Sequence, residues 1–263
     1  MRVNRFSSND DILVVLHRAA DAVHEVLVAN DDWGLSGRRA TQYSIDVKVD
    51  EAALAVLLAA GCAVLSEESD RTGEWGPDDI LVVMDPLDGS SNASRRVPWY
   101  ATALAAIDHD GQRASLVVNQ ATGTDRWWGV TGGGAFRNGT LLSPRHAHAL
   151  NDSVIGVSGT PLFHPGWAQF RAMGAAALDL CLVAQGALDG WIDYNSHGVW
   201  DYLASTHICI EAGVHVTEWQ GRSLIATNHS DRRTPIVAST PEILRQLVDV
   251  RDRHEVVRKQ ATA

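Results

Sequence analysis

The chain has 263 residues, 45% hydrophobic and 21% charged, with a formal charge of −10 at neutral pH. That length accommodates one large domain or two closely packed halves, and the composition excludes a disordered chain. The acidic balance excludes a binder of nucleic-acid backbone, which needs a basic face, but not a small anionic ligand met through bound cations.

The N-terminus (MRVNRFSSNDD) lacks an apolar signal core. No run approaches the ~20 apolar residues of a membrane span, so a cytoplasmic protein without membrane contact is expected. Ile12, Leu16, Ala19, Val23 and Val26 recur at three- and four-residue steps and predict a helix over 10–28, capped by Asn9 or Asp10. Residues 33–45 (WGLSGRRATQYSI) are polar and contain glycine, which predicts a loop or flap. A second helix is predicted over 50–60, stopping at Gly61. Strands are expected at 63–65 and 80–84, the latter ending at Asp85-Pro86 because proline cannot continue a ladder. Residues 100–108 and 113–119 flank Asp110-Gly111 and read as a hairpin, with a further strand at 126–130.

Downstream, strands are predicted at 154–157, 188–193 and 236–239. Helices are predicted at 175–185, at 201–211 ending near Gly213, and at 241–256 with Pro241 in its first turn. Strands and helices mix without a regular βαβ period, which indicates a layered α+β fold. Residues 1–145 and 146–263 divide as two halves of one unit. Cys62, Cys181 and Cys209 lie far apart in apolar runs and read as reduced core thiols. Trp127-Trp128 and Trp191 read as core or as pocket lining. The pair His146-x-His148 lacks companion acids and is set aside as a metal site.

The chemistry concentrates in Ile80-Leu-Val-Val-Met-Asp85-Pro-Leu-Asp88-Gly-Ser-Ser-Asn92. A buried strand delivers Asp85, and Asp88 follows within a turn, with the Leu87 carbonyl between them. Three oxygen donors then converge on a small volume, as a hard cation such as Mg²⁺ requires. Gly89, Ser90 and Ser91 begin a short helix or turn whose free amides suit a phosphate. Asp-Pro-x-Asp-Gly on its own reads equally as a surface turn. A haloacid-dehalogenase reading fails, since it needs two aspartates in Asp-x-Asp spacing. One turn cannot hold several ions, so other acids are needed. Glu67-Glu68 after the short strand and Asp201 at a helix start are the candidates, though singly they read as a solvated loop and an N-cap.

Taken in order, these segments resemble the inositol monophosphatase family. The marks are Ser66-Glu67-Glu68-Ser69, Asp85-Pro86-Leu87-Asp88-Gly89-Ser90-Ser91-Asn92 and Trp200-Asp201. Arg96, Pro98, Gly134-Ala135-Phe136, Asn138-Gly139 and the stretch 171–186 support them, and the likeness spans roughly 40–245. The resemblance implies an α/β/α/β/α layered sandwich, a homodimer, inhibition by Li⁺, and two to three Mg²⁺ ions serving hydrolysis of a small phosphorylated metabolite. It assigns one ion to Glu67, Asp85 and the Leu87 carbonyl, a second to Asp85, Asp88 and Asp201, and a third to Glu67. Asp50 and Ser90, or Glu67, would orient and deprotonate the attacking water, and the amides of Gly89 and Ser90 would hold phosphate. Asp88, Ala176, Asp193 and Asp201 would contact substrate.

Myo-inositol 1-phosphate is the substrate expected first. Histidinol phosphate, fructose 1,6-bisphosphate and 3′-phosphoadenosine 5′-phosphate are alternatives, and a non-catalytic regulatory protein on the same scaffold is the alternative class. Three departures stand out. Ser66 replaces a usual glycine and Ala93 a frequent aromatic, neither removing a ligand. The stretch from Asp189 to Trp200 is one residue longer than in inositol-specific members, leaving Asp193 as the nearest sugar-binding acid. Arg38-Arg39 in the polar flap suit an anionic group through bidentate contacts, or else are a solvated charge pair.

Overall fold

The computed structural model describes residues 1–39, 41–145 and 149–262; His146-x-His148 lies outside them. Helix α1 (Asn9–Ala29) buries Ile12, Leu16, Ala19, Val23 and Leu27, the stripe the periodicity predicted. Its cap is Ser8 rather than Asn9 or Asp10: the Ser8 hydroxyl accepts the Asp11 amide at 3.1 Å. Asn9 is already helical, and a cap must precede the first helical residue. Helix α2 (Ser44–Ala59) starts before the predicted residue 50. Asp46 accepts the Tyr43 amide at 2.7 Å, which closes the first turn early and puts Ile45, Val49, Ala53 and Leu57 on one buried face. Gly61 follows the helix with φ of 87°, a left-handed conformation that favours glycine.

The first sheet contains β1 (Ala63–Ser66), β2 (Asp70–Thr72), β3 (Leu81–Asp88), β4 (Ala101–Asp108), β5 (Gly111–Asn119), β6 (Asp125–Val130), β7 (Gly134–Arg137) and β8 (Thr140–Leu141). Their order is β2-β1-β3-β4-β5-β6-β7-β8. Among the described residues only β1 and β3 pair in parallel within it. Side-chain alternation divides this sheet between two cores. Val64, Val82, Met84, Leu104 and Leu116 pack with α1 and α2. Leu65, Leu81, Val83, Ala103 and Ala105 share a core with α4 (Ala176–Ala184) and α5 (Val199–Glu211).

The second sheet holds β9 (Val154–Ser158), β10 (Gln169–Arg171), β11 (Gly190–Asp193), β12 (His215–Glu218) and β13 (Pro235–Ala238), ordered β10-β9-β11-β13-β12. Trp191 and Val237 reach the core of α4 and α5. Ile155, Ile192 and Ile236 pack with Ile243 and Leu247 of α6 (Pro241–Thr262). The layering is therefore α/β/α/β/α, as the resemblance implied. The first sheet uses residues before 142 and the second residues from 154 onward. Trp127 and Trp191 are core residues, and all three cysteines are free and buried. Among the described residues no helix is long and apolar enough to cross a membrane.

Candidate metal centre and active site

Strand β3 is buried along its whole length and does not end at Asp85-Pro86 as expected. It continues to Asp88 across a bulge. Asp85 pairs with Ala103 and Asp88 with Ala101, so three steps along β3 match two along β4. Proline is tolerated because a bulge leaves one residue out of the ladder. The bulge is pinned from below: Thr102 donates its hydroxyl to the Pro86 carbonyl at 2.9 Å and receives Gln120 Nε2 at 2.8 Å. Asp85 Oδ1 accepts the Leu87 amide at 2.9 Å. Gly89 then turns the chain with φ of 85° into the short helix α3 (Ser90–Ser94). A side chain there would meet the carbonyl oxygens of Trp99 and Gly174 at 3.1 Å, so glycine is required on two counts.

The other acids arrive from separate elements. Glu67 follows β1 and donates its amide to the Met84 carbonyl at 3.1 Å, which ties it beside the end of β3. Asp201 lies in the first turn of α5. Glu67, Asp85 and Asp201 each place a carboxylate oxygen within 4.8 Å of the others. Asp88 accepts the Ala177 amide on its Oδ2 at 2.7 Å. It lines, with Asp201, His197, Asp179 and Ala176, a cavity of about 240 Å³.

Gathering these charges away from water is unfavourable, and the proton affinities show it. Burial first, and the neighbouring acids second, hold the carboxyls of Glu67 and Asp85 well above the ordinary range. Burial and Asp201 push Asp88 to about 8, against the pull of the Ala177 amide. Asp201 is also raised by burial, with His197 and the Gly198 backbone opposing. Among the described residues, Asp85 Oδ2 is buried without any hydrogen-bond partner. Three carboxylates converging from three elements, one with an orphaned oxygen, match the donor set of a hard divalent cation; Asp88 lies outside that triad and joins it only as a neighbour of Asp201 in the cavity. The residues fit Mg²⁺.

The remaining predicted residues distribute as follows. Ala176 lines the cavity with the acids. Ser90 opens α3, and no hydrogen bond among the described residues joins it to Asp50. Asp50 instead receives the Ser66 hydroxyl at 2.5 Å, and burial, opposed by Ser66 and Ser69, raises its carboxyl above the ordinary range. The departure at Ser66 removes no ligand and supplies a donor to Asp50 that a glycine there would lack. Asp193 is buried and accepts the Asn195 amide at 2.8 Å on one oxygen. Its other oxygen meets His197 Nδ1 at 2.9 Å, so the structure gives this acid an imidazole partner. Arg39 donates to the carbonyl oxygens of Glu67 at 3.2 Å and Glu68 at 2.9 Å. It braces the loop that carries Glu67. Arg38 is exposed.

Two residues of the site escaped the sequence reading. His197 lines the cavity; burial opposes its charge, but the Asp193 carboxylate, Asp201 and Asp88 hold its pKa up at about 9. Asp179 sits in the apolar helix α4, receives Trp99 Nε1 at 2.7 Å, and is pushed to about 7 by burial. The signal for Asp179 was present, since an acid within AALDLCLVA must have a partner. His197 gave no such signal.

A five-layer fold with carboxylates collected at the carboxyl ends of β1 and β3 defines a layered α+β protein built around a cation-type acid cluster. The chain belongs to the inositol monophosphatase family, whose model matches residues 14–255. Among its relatives is the fructose-1,6-bisphosphatase/inositol-1-monophosphatase of Archaeoglobus fulgidus, 30% identical over 203 residues, covering 73% of this chain and 76% of the relative. The Nus factor SuhB of Escherichia coli is 29% identical over 228 residues, covering 78% and 81%. Of solved structures, the IMPase of Thermotoga maritima superposes with a TM-score of 0.80 at 20% identity, covering 95% of this chain and 99% of its own. That likeness shows the shared fold.

Proposed function

We propose that the protein is a Mg²⁺-dependent phosphomonoesterase acting on a small phosphorylated metabolite, with myo-inositol 1-phosphate the first substrate to test. The observation that carries this reading is the convergence of Glu67, Asp85 and Asp201 on one point, with Asp85 Oδ2 left unpartnered in the interior. Glu67, Asp85, Asp88, Asp201 and the Leu87 carbonyl would hold the ions. When bound, Mg²⁺ supplies Lewis acidity that activates water and neutralises charge on the phosphate ester. The protein's own part is to fix those donors, to present the first amides of α3 at Gly89 and Ser90 to phosphate oxygens, and to shape the sugar side with Ala176 and with His197, which Asp193 holds from behind.

A covalent protein nucleophile has little support. Burial pushes the Cys62 thiol up to about 12 and raises Cys181 and Cys209 strongly as well, so none supplies a thiolate near neutral pH. For Asp50, the hydroxyl it holds is that of Ser66. On this reading it acts by fixing the segment before Glu67, and water orientation falls to Glu67 and Ser90.

The names of the archaeal relatives make fructose 1,6-bisphosphate the second substrate to test. Histidinol phosphate and 3′-phosphoadenosine 5′-phosphate follow. Relatives named as Nus factors support a non-catalytic regulatory reading as the alternative. Phosphate release from this panel, with Mg²⁺ and with chelator, decides between them. Mg²⁺-dependent turnover of at least one ester is expected, and none from any would favour the regulatory reading. A homodimer and inhibition by Li⁺ belong to the same proposal.

The flap arginines add a separate expectation. Arg39 is bonded to the segment that presents Glu67, and paired guanidinium groups suit an anionic substrate. Changing Arg38 and Arg39 together to alanine should raise KM by roughly five- to tenfold, the equivalent of one charged hydrogen bond. Steady-state kinetics across the panel checks this; an unchanged KM for every substrate discards the role.

A further inference from the structure

A second cavity, of about 720 Å³, shares no lining residue with the catalytic one and carries Arg222, Arg232, Arg251, Arg258 and Lys259 against one lining acid, Glu255. Such a concentration of cations is unexpected in a chain of net charge −10. Part of the charge is neutralised in place. Arg222 meets Glu218 at 2.6 Å, while Arg258 and Lys259 meet Glu255 at 2.7 and 3.6 Å. Among the described residues, Arg232 donates only to neutral carbonyl oxygens in its hydrogen bonds, those of His229 and Asp231.

Arg251 is the centre of the arrangement. It is 4% exposed, its guanidinium lies 4.0 Å from the centre of the Trp219 ring, and its Nε donates to the Asp193 carbonyl at 3.0 Å. Its Nη1 stands 3.6 Å from Glu255 Oε2, beyond hydrogen-bond length, and is buried without a hydrogen-bond acceptor among the described residues. The Tyr194 hydroxyl, on a residue 6% exposed that lines the same cavity, is also buried and has no hydrogen-bond partner among the described residues. Each orphaned buried donor costs about 1–3 kcal/mol unless something accepts from it. The Arg251 nitrogen can only donate, and the Tyr194 hydroxyl can donate as well as accept, so one acceptor would satisfy both, and the surrounding cations call for a negative one.

We propose that this cavity is a second anion site, taking the phosphate of a small organic monoester on Arg251 and Tyr194. The volume exceeds what one phosphate fills and falls in the range of small-molecule sites. The site stands independently of whether the acid cluster hydrolyses phosphate esters. It reaches the catalytic side through Asp193, whose carbonyl holds Arg251 and whose carboxylate holds His197.

The test is calorimetric titration of the full chain in chelator, so that no hydrolysis occurs, with orthophosphate and with glucose 6-phosphate as probes. One equivalent of glucose 6-phosphate is expected to bind, more tightly than orthophosphate. Tyr194→Phe should weaken it about tenfold, as the loss of a hydrogen bond to a charged group does, without lowering Tm, because the hydroxyl bonds to none of the described residues. Arg222→Ala should weaken it several-fold, Arg251→Met should abolish it, and Asp88→Asn should leave it unchanged. Absence of binding, or binding by Tyr194→Phe and Arg222→Ala as tight as by the parent chain, overturns the proposal and leaves water as the occupant. Equal affinity for both probes overturns the assignment to an ester.

Discussion

Replacing Asp88 by asparagine is expected to lower kcat by about 10²–10³-fold while leaving the fold intact, a loss comparable to removing one preorganised charge-stabilising group. Asparagine retains an oxygen that can accept the Ala177 amide, the side-chain hydrogen bond that Asp88 makes at 2.7 Å. The change therefore removes charge without removing the contact. Asp88 is raised to about 8 by burial and by Asp201, so the neutral side chain also relieves repulsion in the cation-free protein. Its Tm without Mg²⁺ should equal or exceed that of the parent. Phosphate release titrated with Mg²⁺, alongside circular dichroism, checks both halves. Turnover at the parental rate would remove Asp88 from the catalytic proposal.

What could be read from the chain follows from how local each signal is. The long amphipathic helix α1 and the hairpin at Asp110-Gly111 are specified by contiguous residues, and both appear where the pattern puts them. The acid cluster was legible because one strand–turn carries two of its members and the others have recognisable neighbours. Short edge strands were not. β2, β8 and β10 are three, two and three residues long and largely exposed, so no alternation marks them. Helix α2 was started late because its capping depends on Asp46 folding back to Tyr43.

Pairings across the fold were the least legible of all. Asp50 has two hydroxyl candidates, Ser66 and Ser90, at different distances along the chain. Sequence order cannot say that α2 packs on β1 and so puts Ser66 within reach. Asp193 and His197 are four apart in an irregular turn, where spacing alone does not bring side chains together as it would on a helix. Their contact arises because the chain leaves β11 and re-enters at α5, with His197 held by an isolated backbone pairing to Arg233. A buried acid–imidazole pair next to four carboxylates is thus a product of topology.

The same crowding makes the cation's effect on stability depend on pH in a defined direction. Mg²⁺ is expected to raise Tm by about 5–10 °C near pH 8, from roughly 2.7 kcal/mol at a hundredfold excess over Kd, and by much less near pH 5. In the cation-free fold the carboxyls of Glu67, Asp85 and Asp201 are raised and Asp88 reaches about 8, whereas unfolded carboxyls ionise near 4. Between those limits the folded state binds more protons than the unfolded one, so its stability falls as pH climbs. His197 acts in the same sense: its folded pKa of about 9 gives stability that is complete below the unfolded value and lost as pH rises through the folded one. A cation favours the ionised carboxylates, so it must displace protons at low pH and meets little competition at high pH. Thermal melts near pH 5, 6.5 and 8, with Mg²⁺ and with chelator, measure the difference directly. A Tm that Mg²⁺ leaves unmoved near pH 8 would mean that these acids fold together for some purpose other than holding a cation.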